Sequence, residues 1–132
     1  MLGLLIEMSE LVEASDTVKL GDVFYESWGY DQTNIDFAKV VGFTKSGKSA
    51  ICRLMSERIT STEGLAAMAE MIVPDKEWGT TFKLRVRQGV CSSQPCLIGS
   101  YPFVQKEGET WAKRFGYFYP WNGSPIYQSH YA

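Results

Sequence analysis

The chain has 132 residues, of which 45% are hydrophobic and 21% are charged, and its formal net charge is −2. This composition is typical of one folded domain and excludes a disordered chain. Three cysteines, an odd number, and a start that lacks the basic residues of an export signal predict a cytoplasmic protein with reduced thiols. We expect no membrane segment, because no apolar run approaches the roughly 20 residues that a spanning helix needs.

The charge is distributed unevenly along the chain. Residues 1–36 hold eight acids and one base, a net charge of −7, whereas residues 37–132 hold seven acids and twelve bases, a net charge of +5. In one interpretation the acidic segment packs beside the basic strands and neutralises them. In the other it presents an acidic surface to a partner, such as a protein groove built for nucleic acid.

The N-terminal segment has the pattern of an amphipathic helix. Over residues 1–18, apolar side chains recur at helical spacing and acidic side chains occupy the other face. We expect this helix to extend a single β-rich domain that covers residues 19–132. The helix is a candidate surface for dimerisation or partner binding; alternatively, Met8 is the true initiator and the segment is shorter.

Strand patterns dominate from Gly21 onward. Residues 23–27, 34–43 and 49–55 are dense in β-branched and aromatic side chains. Between the last two segments, residues 45–48 contain the Ser and Gly of a tight turn and predict a β-hairpin.

A short helix is predicted next over residues 65–71, where Thr60 or Ser61 could cap its start and Pro74 would end it; the alternative is that residues 61–72 form a strand. The clearest strand follows at residues 81–88, where apolar and basic side chains alternate. Its apolar face holds Phe82, Leu84 and Val86, and its basic face holds Lys83, Arg85 and Arg87. Further strands are predicted at residues 97–103, 114–121 and 125–131, the last of them after an Asn-Gly turn.

Several short strands with minor helix predict an α+β fold that is mainly antiparallel β. Its sheet would be small and curved, or rolled into an SH3-like partial barrel, with one or two short helices. No internal repeat divides the chain, so we expect one domain besides the N-terminal extension.

Residues 42–49, GFTKSGKS, match the phosphate-loop pattern GxxxxGK[ST]. In that interpretation Gly47, Lys48 and Ser49 would bind a nucleotide. The chain is short for a nucleotide-binding α/β domain, however, and no repeated strand–helix units follow. Because Ser, Gly and Lys are also common in hairpin turns, we favour the hairpin.

No metal, cofactor or catalytic residue is predicted. The chain offers the four ligands that zinc needs, but their spacing is not that of a zinc site: Cys52, Cys91, Cys96 and His130. Four carboxylates near one another in sequence could hold a cation or serve acid–base chemistry, although turn formation explains the Asp of the DQTN segment more simply: Asp22, Glu26, Asp31 and Asp36.

The basic row and the aromatic-rich C-terminal third resemble the combination that binds single-stranded nucleic acid. The aromatic residues in question are Trp111, Phe115, Tyr117, Tyr119 and Trp121. Trp28 and Tyr30, at alternate positions, would share one strand face, either in the core or as a stacking surface. A sequence pI of 5.4 argues against nucleic-acid binding, and a basic outer face over an aromatic core is the simpler alternative.

Three segments carry a family resemblance: GDVFYESWGYDQTNIDFAKVVGFT, IVP with FKLRV, and WNGSPIYQSHYA. Together they resemble a family of small proteins of bacteriophages and other mobile elements, to which no activity is attached. The resemblance covers about residues 19–132 and implies the cytoplasm of an infected or element-carrying bacterium. It assigns no site residue.

We therefore expect a non-enzymatic accessory protein that binds a host protein or complex and inhibits a host defence nuclease, in the manner of anti-CRISPR or anti-restriction proteins. Its predicted partner-binding residues are Glu7, Glu10, Glu13, Asp16, Trp28, Tyr30 and Asp31. The alternative is a single-stranded nucleic-acid-binding protein that uses Lys83, Arg85 and Arg87 with Trp28 and Tyr30. A phosphate-loop nucleotide binder is the third hypothesis.

Overall fold

Seven β-strands make up the computed structural model, which describes residues 18–29, 32–62, 69–88, 94–104 and 112–129. They are β1 (Val23–Trp28), β2 (Asn34–Phe43), β3 (Ser49–Ser61), β4 (Ala69–Arg87), β5 (Cys96–Val104), β6 (Ala112–Pro120) and β7 (Ile126–Ser129). No helix occurs within these ranges. The prediction of a mainly antiparallel β fold is confirmed, whereas the helical part of the α+β class is not supported. The predicted N-terminal helix lies outside the described residues apart from Val18, which packs into the core.

Six of the strands close into an up-and-down barrel. Each strand from β1 to β5 pairs antiparallel with the next one, and β6 returns to pair with β1 through Tyr119 and Tyr25. An even number of consecutive strands allows the last to run antiparallel to the first. The sheet is therefore fully closed, not the SH3-like partial barrel of the prediction.

The longest strand, β4, has 19 residues and serves two neighbourhoods. Its first residues, Ala69–Ile72, lie between β3 and β7, and its last residues pair with β3 and β5. The helix predicted over residues 65–71 is therefore wrong for 69–71, while 63–68 lie outside the described residues. Hydrogen-bonding partners on both sides outweigh local helix propensity here. Pro74 is accommodated beside a register shift between β3 and β4.

Alternation along the strands separates two apolar clusters. The barrel interior holds Val18, Phe24, Ala38, Val40, Ala50, Cys52, Leu54, Leu84, Leu97, Tyr101 and Phe118. On β2, Ile35 and Phe37 point to the opposite, outer side, where Ile72 and the partly buried Trp121 and Ile126 pack against them. The start of β4 and the short β7 thus cover the outer face of β2 near the end of β1.

The segment that matches a phosphate loop is the turn of the β2–β3 hairpin. The Gly47 amide donates to the Thr44 carbonyl at 2.9 Å, and the Thr44 amide donates to the Ser49 carbonyl at 3.0 Å. A phosphate loop needs a helix after the lysine, but β3 begins there and pairs with β2 and β4. Gly47, Lys48 and Ser49 therefore form no phosphate loop, and the hairpin prediction is confirmed.

Candidate functional site

A cleft of about 510 Å³ opens at the mouth of the barrel, next to the apolar interior. Five of the six barrel strands contribute to its lining, which consists of Trp28, Asn34, Ile35, Asp36, Met55, Ser56, Glu57, Trp78 and Phe103. Three of these side chains are large aromatics, two are acids, and none is basic. A concave site of this size with a few polar groups among aromatic walls is typical of ligand binding. We call it the barrel-mouth cleft.

Asp36 is the most buried charged group of the cleft. Its Oδ2 accepts hydrogen bonds from the Trp28 indole Nε1 at 2.8 Å and from the Tyr101 hydroxyl at 2.6 Å. Burial raises the pKa of Asp36 above its ordinary value of 3.8, and the two hydrogen bonds oppose this rise without cancelling it. Glu26 lies directly opposite across the β1–β2 pair and adds to the rise. Burial and the neighbouring carboxylates raise the pKa of Tyr101 as well, so its hydroxyl stays protonated and donates.

Beside the cleft, inside the barrel, Glu26 and Arg114 form a partly buried ion pair. The Arg114 Nη2 donates to Glu26 Oε2 at 2.7 Å, and the Tyr117 amide donates to the same oxygen at 3.2 Å. The pKa of Arg114 is raised, chiefly by its hydrogen bond to Glu26. Its guanidinium lies 4.6 Å from the centroid of the Trp28 ring, a cation–π contact. Trp28 is thereby fixed between Arg114, Asp36 and Phe103, whose ring meets it edge-on at 5.4 Å.

The rim of the cleft is held by β7. The buried Gln128 accepts a hydrogen bond from the Ile35 amide at 3.0 Å through its Oε1. Its Nε2 donates to Glu57 Oε2 and Glu70 Oε2, both at 3.0 Å. One amide side chain therefore fixes a backbone donor of β2 and two carboxylates, one of which lines the cleft.

A second candidate surface lies on the outer face of β4, β5 and β6. Lys83, Arg85 and Arg87 are exposed there, as the alternation of residues 81–88 predicts. On β6, Phe115 and Tyr117 are 56% and 45% exposed, and their rings form an edge-to-face pair at 5.7 Å. We call these residues, with the exposed Lys113, the basic–aromatic face.

The strand register places the rings beside the bases. Tyr117 pairs with Ile98 of β5, and Ile98 pairs with Arg85 of β4. Neighbouring strands are about 4.8 Å apart, so the backbones at Tyr117 and Arg85 are separated by roughly 10 Å. Lys113 lies on the same face as Phe115, two residues before it. The aromatic pair is therefore flanked by basic side chains in two directions.

The predicted site residues fall into three groups. Glu7, Glu10, Glu13, Asp16, Tyr30 and Asp31 lie outside the described residues. Trp28 lines the barrel-mouth cleft, whereas Lys83, Arg85 and Arg87 lie outside the barrel, so the structure does not bring Trp28 together with this basic row. Of the four carboxylates, Glu26 and Asp36 are directly opposite each other, and Asp22 accepts a hydrogen bond from the Lys19 amide as a turn former would.

The sequence interpretation missed the other aromatic and acidic residues of the cleft, which are Glu57, Trp78 and Phe103. They come from strands far apart in the chain. One signal was available for Asp36: it shares the strand face of Ala38 and Val40, so alternation alone predicts that its carboxylate points into the barrel.

The described cysteines are not arranged for chemistry. Cys52 lies in the barrel core, and burial raises its pKa to about 12, so it stays a thiol. Cys96 is also buried. Within the described ranges, no three His, Cys, Asp or Glu side chains are close enough together to hold a metal ion.

Comparison of the chain with known protein families, with curated proteins and with solved structures finds no match. The resemblance to phage and mobile-element proteins therefore stays a prediction. In the described part of the chain no helix has the length and apolarity needed to cross a membrane.

We expect Asp36→Asn to stabilise the protein near neutral pH. Because burial raises the pKa of Asp36, the protonated side chain makes its full contribution to stability below about pH 4. This contribution is lost as the pH rises through the folded-state pKa of Asp36. Asparagine keeps an oxygen acceptor for Trp28 and Tyr101 but carries no charge. Urea unfolding of both proteins across this pH range should show an advantage of the variant that disappears in acid. A variant that is less stable at every pH would contradict this.

Proposed function

We propose that the chain is a non-enzymatic accessory protein of a phage or related mobile element and that it binds single-stranded nucleic acid on the basic–aromatic face. One observation carries the proposal: two exposed, adjacent aromatic rings lie among exposed basic side chains on a single sheet surface. Single-strand binding proteins combine stacking rings for the bases with basic groups that follow the phosphates. In the cell, the protein would act in the cytoplasm of the bacterial host.

The charge of the barrel supports this assignment. The described residues hold twelve Lys and Arg against seven Asp and Glu, a net charge of +5. The low pI comes from acids elsewhere, four of which lie within residues 1–17. None of the outward-facing residues of the described part of β4–β6 from Lys83 to Arg87, Ile98 to Pro102 and Lys113 to Tyr119 is acidic. A polyanion would meet no like charge on this face.

The strand register also supports nucleic-acid binding on the basic–aromatic face. Tyr117 and Arg85 lie on one line across three strands, with Ile98 between them. A base stacked on Tyr117 would leave its phosphate within reach of the long Arg85 side chain. The contacts on this face are stacking and charge contacts, so we expect weak dependence on base sequence.

The binding test uses a fluorescein-labelled oligothymidine and fluorescence anisotropy at several salt concentrations. The triple substitution of Lys83, Arg85 and Arg87 by Gln should lower affinity at low salt by at least about tenfold and reduce the salt slope by about 2, since each single-strand phosphate contact contributes about 0.7. Phe115→Ala or Tyr117→Ala should each cost about tenfold with an unchanged slope, because stacking is not ionic.

A matched control removes three exposed bases from other surfaces: Lys19→Gln, Arg58→Gln and Lys76→Gln together. This variant has the same net charge as the triple variant of the basic row and should keep most of the affinity. Equal losses in both triple variants would show that only overall charge matters. No binding of the unmodified protein at low salt would end the proposal.

The inhibition of a host defence nuclease stays a separate hypothesis. Most of the acidic residues that motivate it lie outside the described residues, and of its predicted contacts only Trp28 is described, inside the cleft. The exposed rings of Phe115 and Tyr117 favour the nucleic-acid interpretation over it.

A further inference from the structure

The barrel-mouth cleft has a composition that the nucleic-acid proposal does not use. Its lining includes the carboxylates of Asp36 and Glu57 and the rings of Trp28, Trp78 and Phe103, with no basic side chain. Carboxylates and phosphates are poor occupants of such a site, because they would face two acids in a partly desolvated space. The lining instead fits a positive charge, which both aromatic faces and carboxylates attract.

We propose that the barrel-mouth cleft binds an organic cation: a guanidinium or ammonium group on an aliphatic stem. The carboxylates would meet the charged head and the aromatic rings would cover the stem. Two sources share this chemistry, a small polyamine and a Lys or Arg side chain of a protein partner.

The hydrogen bonds of Asp36 support this assignment. Both of the hydrogen bonds that it accepts fall on Oδ2, from Trp28 and Tyr101. Within the described part of the chain, no hydrogen bond is made to its Oδ1. A donor group in the cleft would satisfy that oxygen and offset the cost of burying the charge.

The same region already contains one such contact. Arg114 holds its guanidinium 4.6 Å from the centroid of Trp28 while it pairs with Glu26. The cleft lining contains two of these three components again, carboxylates in Asp36 and Glu57 and an indole ring in Trp78, and a ligand would supply the cation. Since Glu26 balances Arg114, the charges that remain for a ligand are negative.

The test follows the indole N–H signal of Trp28 in the ¹⁵N-labelled full chain, assigned with Trp28→Phe. The probes are capped arginine, capped lysine and spermidine, and capped citrulline is the neutral isostere of arginine. We expect a saturable shift with the cations and none with citrulline. Tighter binding of spermidine would identify a small polyamine as the ligand class, and tighter binding of the capped amino acids would identify a protein side chain.

Asp36→Asn should weaken cation binding at least about tenfold, the effect of one buried charge-assisted hydrogen bond. The matched control, Asp75→Asn, removes an exposed acid outside the cleft and should leave the affinity unchanged. Oligothymidine binding serves as the folding control, since Asp36 is not part of the basic–aromatic face. Equal binding of arginine and citrulline, an unaffected Asp36→Asn variant, or no saturable shift would each overturn the proposal.

Discussion

Replacing Gly116 with alanine is expected to lower the free energy of unfolding by about 3 kcal/mol. A Cβ at this position would lie 2.7 Å from Cδ and 2.8 Å from Oε2 of Glu26. The Glu26 carboxylate is held in place, because Glu26 is only 5% exposed and accepts hydrogen bonds from Arg114 and the Tyr117 amide. The added methyl group would displace it and weaken those charge-assisted bonds.

Two controls isolate this mechanism in urea unfolding experiments. Gly42→Ala adds the same methyl group to β2, where the nearest atoms belong to Ile51 at 3.7 Å, an ordinary contact. We expect this variant to change stability by less than about 1 kcal/mol. In a Glu26→Ala background, where the space is vacated, Gly116→Ala should cost much less than in the unmodified protein. An equal cost in both backgrounds would show that the carboxylate is not the cause.

The strand positions could be predicted because alternation is a local property. Each of the seven strands overlaps a segment that the sequence marks as extended, and β2 has the predicted bounds. The missed parts are residues 56–61 of β3 and, above all, the first half of β4, before Thr81. This half of β4 contains Pro74 and Gly79, and it is extended because β3 and β7 supply its hydrogen bonds from distant parts of the chain.

Which residues form a site depends on how the strands close into a barrel, and no local sequence pattern encodes that closure. Trp28 and Lys83 both lie on strands of the same barrel, but Trp28 lines the interior cleft and Lys83 faces outward. Grouping Trp28 with Lys83 by residue type alone therefore combined an inward-facing and an outward-facing residue of the same barrel. Phe115 and Tyr117 have the pattern of core aromatics, and only the pairing of β5 with β6 shows that they alternate with the inward-facing Gly116 and Phe118.

Stability alone does not account for the polar interior near the cleft. Burial of Asp36 opposes its ionisation, and the Glu26 carboxylate directly across the strand pair adds to that cost. A well-packed apolar layer would avoid both penalties. Groups that lower stability in a concave, aromatic-lined site are typical of binding sites. Asp36 is such a group: its ionisation makes stability depend on pH, and its carboxylate would bind the proposed cation.

Gln128→Glu is expected to destabilise the protein near neutral pH by about 3–5 kcal/mol, although the two side chains have nearly the same shape. Gln128 is 3% exposed, and its Nε2 donates to both Glu57 and Glu70. A carboxylate in its place would lose both hydrogen bonds and put a third negative charge 3.0 Å from two others. The hydrogen bond from the Ile35 amide would remain, because an oxygen still accepts it.

The pH dependence and a compensating substitution test this explanation. Like charges raise the pKa values of clustered carboxyls in the folded state, so the penalty should be largest near neutral pH and should shrink below about pH 4, where the carboxyls bind protons. Combining Gln128→Glu with Glu70→Gln returns one amide donor to the cluster and should recover more than half of the lost stability in urea unfolding. If the double variant is no more stable than Gln128→Glu alone, repulsion is not the cause. Recovery would instead establish that like-charge repulsion and the lost amide donor, not the shape of the side chain at position 128, cause the destabilisation.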